Sequence, residues 1–442
     1  HSGDLTCRNR PNVLCPASDM AVERSVDSLA ALLARWPNVA GVVLRFGDTD
    51  AHRLRYLVGN DIYQPHCPRC SHFGRVDRIA SIIERFHDRV VNALGRRLIV
   101  RAWNVRPNGM HDSTDVCNRL RDRLPGRADD DRLILSFKFK ETDFWRYQRW
   151  NQASLSFGDR PIMYELQCQR EFEGKGGVPN WQAPLWRDGP EEAQPKGEHS
   201  GLAGVAGRVN LAGIWAWVRG GGWGGPFVSN ETWIDAHVCA APALADDVNA
   251  DPDALAERWA RDRLGITEDK AVQAVVQVLR NSTSVVQQAF YIGPYAKSRA
   301  TPWHPSGDWI QDDQLDAAAA WRIVQRAPED QLDEIVREKQ AAVDRVARDH
   351  SALNEALTKG NAPTLEPMMN TLNYAESSYA ALRDLLAGLV AYRRYKKDGD
   401  AAAARRCQQS LVAAQGHWNQ HTQHHSTIPG TATAFREIHF WD

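Results

Sequence analysis

The feature that most constrains the fold is an alternation that continues to about residue 240. Amphipathic helical stretches alternate there with short β-branched runs that end in polar residues. The apolar faces of the first two helices carry Val26, Leu29, Leu32, Leu33 and Trp36, and then Val76, Ile79, Ile82, Ile83, Phe86, Val90 and Leu94. Strands are predicted at 39–44, 98–100, 133–137, 162–166 and 211–217. Apolar strands separated by helices are typical of a parallel sheet that is covered by helices.

A possible sixth strand at 4–7 completes a pattern that predicts an α/β fold of the (β/α)8 TIM-barrel type. Since such a barrel has eight strands, one interpretation is that its N-terminal strands are missing. After residue 249 the sequence changes to Ala-, Arg-, Asp- and Gln-rich stretches with helical spacing, which begin with Asp251 as N-cap and Pro252 at the first helical position. We therefore expect a barrel domain at 1–249 and an all-α domain at 250–442.

Charge and hydropathy exclude several classes of partner. Lys and Arg total 54 against 55 for Asp and Glu, so the net charge of −1 favours neither nucleic acid nor an anionic membrane as a partner. No apolar run is long enough to span a membrane, which predicts a soluble protein. The chain begins at His1, so an export signal could have been removed, and both a cytoplasmic and an exported protein remain open. A homodimer is compatible with the sequence, and no cofactor is expected.

Polar residues that follow the strands are the candidates for chemistry, because the carboxyl ends of parallel strands face the site in such folds. Strand by strand they are Arg45, Asp48 and Asp50; Arg101 and Trp103; Lys138, Glu141, Asp143 and Trp145; Glu165, Gln167 and Glu171; and Trp215, Trp217 and Trp223. Acids, cations and aromatic rings at one barrel mouth indicate a carbohydrate site, where two carboxylates cleave the glycosidic bond. A single acid in a loop is more often a helix cap or a solvated side chain.

The neighbouring sequence favours the catalytic interpretation. The segments LILSFKFKETDFW and RPIMYELQCQREFEGKGGVPNWQAPLWRDG resemble the α-glucuronidases of glycoside hydrolase family 67. The residues that match in order are Lys138, Asp143, Phe144, Glu165, Leu166, Gln167, Glu171, Gly174, Pro184 and Trp186. The resemblance implies that Asp143 and Glu171 are the candidate bases of an inverting hydrolysis. It also implies that Arg101 and Lys138 bind the substrate's uronate carboxylate, with Arg45 where the family has a Lys.

One residue of the predicted site separates this sequence from the family. Thr49 stands where the family has its general acid, a Glu, so that Asp48 or Asp50 is the predicted acid. The cations Arg45, Arg101 and Lys138 can also form salt bridges with the acids beside them, and both roles can hold at once.

Three tryptophans, Trp103, Trp145 and Trp223, are predicted to stack on sugar rings, with ordinary packing as the alternative.

Cys67 and Cys70 form a CxxC pair between His66 and His72. A zinc site normally needs a second ligand pair at a matching spacing, and none is obvious, so we predict no metal. A local disulfide or two free thiols is the favoured interpretation.

Three functions fit these observations. The first is an inverting exo-α-glucuronidase-like enzyme that acts on an oligosaccharide or polysaccharide-derived substrate, expected to be acidic. The second is a glycosidase on the same scaffold with a different acidic or neutral glycan. The third is a carbohydrate-binding protein that has lost catalysis together with the family's acid.

Overall fold

The structure is a computed structural model that describes residues 5–7, 10–47, 67–72, 74–103, 110–190, 197–218, 230–298, 306–307, 309–311 and 314–425. The chain divides into two compact units. The first comprises His1–Asp143, Arg149–Leu166 and Gln194–Trp215, and the second Phe144–Gln148, Gln167–Ala193 and Ala216–Asp442. This division differs from the boundary at 249/250 that composition suggests, which stays a prediction.

The first half of the chain alternates strands and helices. In chain order the elements are β1 Thr6–Cys7, β2 Arg10–Leu14, α1 Asp19–Arg35, β3 Gly41–Gly47, α2 Arg75–His87, β4 Arg97–Trp103, α3 Thr114–Arg121, β5 Leu133–Lys138, β6 Pro161–Gln167, α4 Ala183–Asp188, α5 Gly201–Val205 and β7 Asn210–Trp217. The strands β3 to β7 form one sheet in the order β3-β4-β5-β6-β7, and β3 to β6 pair in parallel. All five strands predicted from the apolar runs are confirmed.

The core of the first unit lies on one face of this sheet. Leu98, Val100, Leu135 and Ile162 on that face are fully buried, and α2 contacts β4. The predicted apolar face is buried at Val76, Ile79 and Ile83 of α2, and at Val90 just beyond the end of this helix. The buried stripe of α1 instead follows Val22, Val26, Ala30 and Leu33, a spacing of three to four residues, which leaves Leu32 and Trp36 exposed.

The strand predicted at 4–7 is wrong as a barrel strand. Thr6 and Cys7 form β1, which pairs antiparallel with β2 in a separate two-stranded sheet, with a bulge at Thr6/Cys7. Within the described residues the large sheet has five strands, with β3 and β7 at its edges. A parallel α/β sheet is therefore what the structure supports, and closure into an eight-stranded barrel is not confirmed.

The second unit is largely helical. Its further elements are α6 Thr232–Asp246, α7 Pro252–Arg258, α8 Asp269–Phe290, α9 Gly293–Ser298, β8 Ile310–Gln311, β9 Gln314–Leu315, α10 Ala317–Arg326, α11 Leu332–Glu355, α12 Ala362–Asp398 and α13 Ala401–His425. The longest helix, α12, contacts both α11 and α13, and α11 contacts α8. Helices predicted after residue 249 are confirmed. In the part of the chain that the structure describes, no helix has the length and apolarity that crossing a bilayer requires.

Candidate active site

In the first unit, polar side chains line up at the carboxyl ends of adjacent strands. The parallel register places Arg45 of β3 beside Arg101 of β4, and Arg101 beside Ser136 of β5. Two residues further along, Lys138 of β5 lies beside Glu165 of β6. Because side chains alternate between the two faces of a strand, residues two apart and residues in register share one face. These five residues therefore lie on one face of the sheet at its carboxyl edge.

Arg101 and Glu165 form a bidentate ion pair inside the first unit. Arg101 Nε donates to Glu165 Oε2 at 2.6 Å, and Nη2 donates to Oε1 at 2.8 Å. The side chains are 3% and 0% exposed. The two hydrogen bonds hold each side chain in position against the other. Removing one partner would leave an uncompensated buried charge. The salt-bridge interpretation is confirmed for Arg101.

Trp215 of β7 adds an aromatic ring to this face. Its indole Nε1 donates to Ser136 Oγ at 2.8 Å, and the guanidinium carbon of Arg101 lies 5.8 Å from the ring centroid, within the range of a cation–π contact. The residue is half-buried. The sequence placed Trp215 at the strand ends without singling it out as a substrate-binding residue.

Lys138 and Asp143 form a second ion pair. Lys138 Nζ donates to Asp143 Oδ1 at 2.7 Å, and the two side chains are 5% and 20% exposed. Lys138 is the last residue of β5, and Asn151 donates an amide hydrogen bond to its carbonyl oxygen at 3.3 Å. A buried ammonium on a rigid strand therefore holds a carboxylate that remains partly open to solvent. The salt-bridge interpretation is confirmed for Lys138 as well.

Glu171 belongs to the second unit, on the loop that follows β6. It is 8% exposed, and its backbone N–H donates to Gln167 Oε1 at 3.3 Å. The loop turns sharply, because Arg170 and Lys175 have φ of 58° and 52°, in the left-handed region. Gly176 also has positive φ, and a Cβ there would lie 2.5 Å from Ile234 Cγ1.

A buried charge cluster around Glu173 holds this loop. Glu173 Oε1 accepts from Arg146 Nε at 3.0 Å and from Tyr291 Oη at 2.8 Å. Its Oε2 accepts from Arg146 Nη2 at 3.0 Å, Arg170 Nε at 3.1 Å and Asn180 Nδ2 at 2.5 Å. Burial opposes ionisation, but the guanidinium groups of Arg146 and Arg170 outweigh it and hold the pKa of Glu173 well below its ordinary value. The sequence does not identify Glu173 as a site residue, because nothing in the local pattern separates it from Glu171.

His237 of α6 supports the same loop as a neutral imidazole. Its Nε2 accepts from the backbone N–H of Gln182 at 3.1 Å, so Nδ1 is the atom that donates to the carbonyl oxygen of Cys168, at 2.7 Å. Burial lowers the pKa of His237 to about 4. Through these two hydrogen bonds, the ring nitrogens of His237 hold the backbone at Gln182 and at Cys168.

The remaining predicted site residues have mixed outcomes. Arg45 is exposed on β3. Trp145 is 3% exposed and stacks on Phe172 with ring centroids 4.0 Å apart, which favours packing; its stacking role stays a prediction. Asp48, Asp50 and Trp223 lie outside the described residues, and of Trp103 the structure describes the backbone alone.

The CxxC pair has neighbours that the sequence pattern does not indicate. Cys67 and Cys70 lie with Cys7 and Cys15, and the four sulfur atoms are all within 4.8 Å of one another. All four are free thiols in the structure, so the disulfide alternative is not what is seen. Cys15 lies eight positions after Cys7, and Cys67 lies 52 positions after Cys15, a spacing that does not resemble a standard ligand pair. His66 lies outside the described residues.

Comparisons with known proteins give a fold and no family. No protein-family model matches the chain, and no curated protein matches it. Among solved structures, the chain resembles a GH138 enzyme that targets pectin rhamnogalacturonan II, with a TM-score of 0.55 and 12% sequence identity over 95% of this chain and 48% of that one. An O-GlcNAc hydrolase variant from Thermobaculum terrenum matches with a TM-score of 0.39 and 12% identity, over 95% of this chain and 81% of that one. The chain thus spans about half the length of the GH138 enzyme, and it shares the fold of that part of a glycoside hydrolase.

Proposed function

We propose that the protein is a glycoside hydrolase that removes a uronic acid residue from the end of an oligosaccharide with inversion at the anomeric carbon. The observation that carries this proposal is the ion pair between Asp143 and Lys138. A buried ammonium at a strand end orients its partly exposed carboxylate, and a second ion pair and Trp215 lie on the same sheet face. The resemblance of the segments around Asp143 and Glu171 to family 67, and the fold shared with a GH138 enzyme, support the same class of reaction.

The proposed reaction needs one base and one acid. Asp143 takes a proton from water as the water oxygen attacks the anomeric carbon, and the bond from that carbon to the leaving oxygen breaks. The acid, proposed to be Asp48 or Asp50, gives its proton to the leaving oxygen. Lys138 directs the Asp143 carboxylate through their contact of 2.7 Å. Glu171 is the alternative base.

Recognition of the uronate is assigned to Arg101 and Arg45, which are in register on neighbouring strands. The pair with Glu165 uses two of the five N–H donors of Arg101, and the proposal requires that a substrate carboxylate reach this side chain on the same sheet face. Trp215 offers its ring for stacking against the sugar. A substrate without the carboxylate would lose the charge-assisted hydrogen bonds and keep the stacking contact.

The base is tested by release of glucuronic acid from aldouronic acids. Asp143→Asn should lower kcat by about 100-fold to 10000-fold, the usual contribution of a general base. Asp122→Asn, a surface acid 66% exposed at the end of α3, is the matched control and should keep wild-type activity. Full activity of Asp143→Asn would refute its role, and a comparable loss in Glu171→Gln alone would move the role to Glu171.

The acid and the stereochemistry are tested separately. Asp48→Asn or Asp50→Asn should cripple hydrolysis of natural oligosaccharides but spare aryl glycosides with a good leaving group, which need little protonation. Proton NMR of the first-formed product should show the anomer opposite to that of the substrate. Retention of configuration would refute the inverting mechanism.

The carboxylate requirement is tested with Arg45→Gln, because Arg45 is exposed and its replacement should not disturb the fold. We expect a raised KM on uronides and little change on their methyl esters. Glucuronides, galacturonides, neutral glycosides and pectic rhamnogalacturonan II form the panel, the last because the GH138 enzyme targets it. Hydrolysis of neutral glycosides alone would leave a glycosidase with another specificity, and sugar binding in calorimetry without turnover would refute catalysis.

A further inference from the structure

Four cysteines in the first unit converge on one point. Cys7 ends β1, Cys15 follows β2, and Cys67 and Cys70 belong to the turn that precedes α2. All four side chains are fully buried. Their sulfur atoms lie within 4.8 Å of one another, and the Cys15 sulfur is 4.0 Å from that of Cys67 and 3.7 Å from that of Cys70.

These distances match a metal site. Zinc binds four thiolates as a tetrahedron with zinc–sulfur bonds of about 2.3 Å, and the sulfurs of such a tetrahedron are about 3.8 Å apart. Disulfides would join the sulfurs two by two at about 2.05 Å. Here the Cys15 sulfur is nearly equidistant from two others on the opposite segment. We propose that Cys7, Cys15, Cys67 and Cys70 form a structural Zn²⁺ site.

Hydrogen bonds hold the backbone at three of the four cysteines in position. The N–H of Cys15 donates to the carbonyl oxygen of Leu5 at 2.8 Å, which closes the end of the β1–β2 hairpin. In the second segment, Ser71 N–H donates to the carbonyl oxygen of Cys67 at 3.0 Å, and Arg78 Nη1 donates to that of Cys70 at 2.5 Å. Arg78 also brings a positive charge towards a Zn(Cys)₄ centre, whose net charge is −2.

Hydrophobic burial alone is a weak explanation for this cluster. Among the residues that the structure describes, the apolar side chain packed against the four cysteines is that of Ala17, and there they form a small cluster of their own. Metal–thiolate bonds supply the folding free energy that such a small contact area lacks. The site would tie the hairpin to the turn before α2 across the 52 positions from Cys15 to Cys67. That stretch includes α1, β3 and the predicted acids Asp48 and Asp50.

The test is the metal content of the full chain, purified without chelator from zinc-supplemented medium. We expect about one zinc per chain, and X-ray absorption at the zinc edge should show four sulfur neighbours at about 2.3 Å. Cys15→Ser and Cys70→Ser should lose this zinc, whereas Cys407→Ser, a half-buried cysteine of α13, should retain it. These readouts do not depend on glycosidase activity, so the zinc site and the proposed function fail separately.

Cobalt exchange of the wild-type chain keeps the proposal testable if the ligand variants do not fold. Tetrahedral Co²⁺ bound by four thiolates gives strong charge-transfer and visible absorption bands, and we expect both. Iron in place of zinc in the purified chain would overturn the zinc assignment. Absence of bound metal, or disulfides among the four cysteines in alkylated and unreduced protein, would overturn the site itself.

Discussion

Replacing Glu173 by Gln should be among the most damaging single changes in the second unit. The carboxylate accepts five hydrogen bonds, two on Oε1 and three on Oε2, and two of its partners are the buried cations Arg146 and Arg170. An amide has one acceptor and one donor end, so whichever oxygen becomes NH₂ faces at least two donors. Two guanidinium charges also lose their buried counter-charge. Removing one partner of a buried ion pair costs about 3–5 kcal/mol, and we expect Glu173→Gln to lower the free energy of unfolding by that amount.

Urea unfolding followed by tryptophan fluorescence measures this loss. Glu198→Gln is the control, because Glu198 also pairs with an arginine, Arg149, but its side chain is 29% exposed. Partly exposed pairs contribute about 1 kcal/mol or less, so the control should stay close to wild type. A loss in Glu173→Gln no larger than that of the control would refute the argument that this carboxylate organises the cluster.

The pH dependence gives a second test of the same residue. Because the pKa of Glu173 is lower in the folded chain, its contribution is present in full above the unfolded pKa of about 4.3. It is lost as the pH falls from there towards the folded pKa. The difference in stability between wild type and Glu173→Gln should therefore narrow below about pH 4. A constant difference between pH 3 and pH 7 would contradict this assignment.

Two further predictions concern the same loop. Gly176→Ala should destabilise the chain by about 2–3 kcal/mol, because φ is +77° and the new Cβ would meet Ile234; Gly399→Ala, at φ +67° with nothing within 4 Å, should cost only about 1 kcal/mol. Equal losses in thermal unfolding would remove the steric argument. His237 should make the protein less stable as the pH falls from about 6.5 to about 4, by up to about 3 kcal/mol, since the unfolded imidazole takes up a proton that the folded one resists. His237→Asn, whose amide can still donate to Cys168, should lose this part of the pH dependence, and an unchanged profile in chemical unfolding would contradict it.

Local patterns were sufficient to predict the five strands of the large sheet and most helices, but not the strands β2, β8 and β9. The run from Leu133 to Phe137 is buried along its whole length, which requires a sheet that is covered on both faces. Asp251 as N-cap and Pro252 as the first helical residue mark the start of α7 as predicted. Thr6 and Cys7 were assigned to the wrong sheet, because a strand of two residues is too short to show a hydrophobic periodicity. Their pairing with β2 in the structure is what identifies an antiparallel hairpin.

The residues of the site could be predicted where a polar side chain lies at the end of a strand, and less well elsewhere. Arg101 and Lys138 are the polar residues at two strand ends, and the structure places them there with acidic partners. Glu173 could not be singled out, because its partner Tyr291 is 118 residues away. The cysteine cluster was missed for the same reason: no local spacing brings Cys15 to Cys67.

The loop that carries Glu171 has a consequence for how the chain can be engineered. Its neighbours in the second unit include α8, where Ser282 Oγ accepts from the backbone N–H of Trp181 and Thr283 donates to the Trp181 carbonyl oxygen. Truncation after residue 249 would keep the loop and remove these anchors, together with Tyr291. The helices after residue 249 are therefore no interchangeable module, and exchanging them for those of a relative would require grafting the loops 144–148 and 167–193 with them.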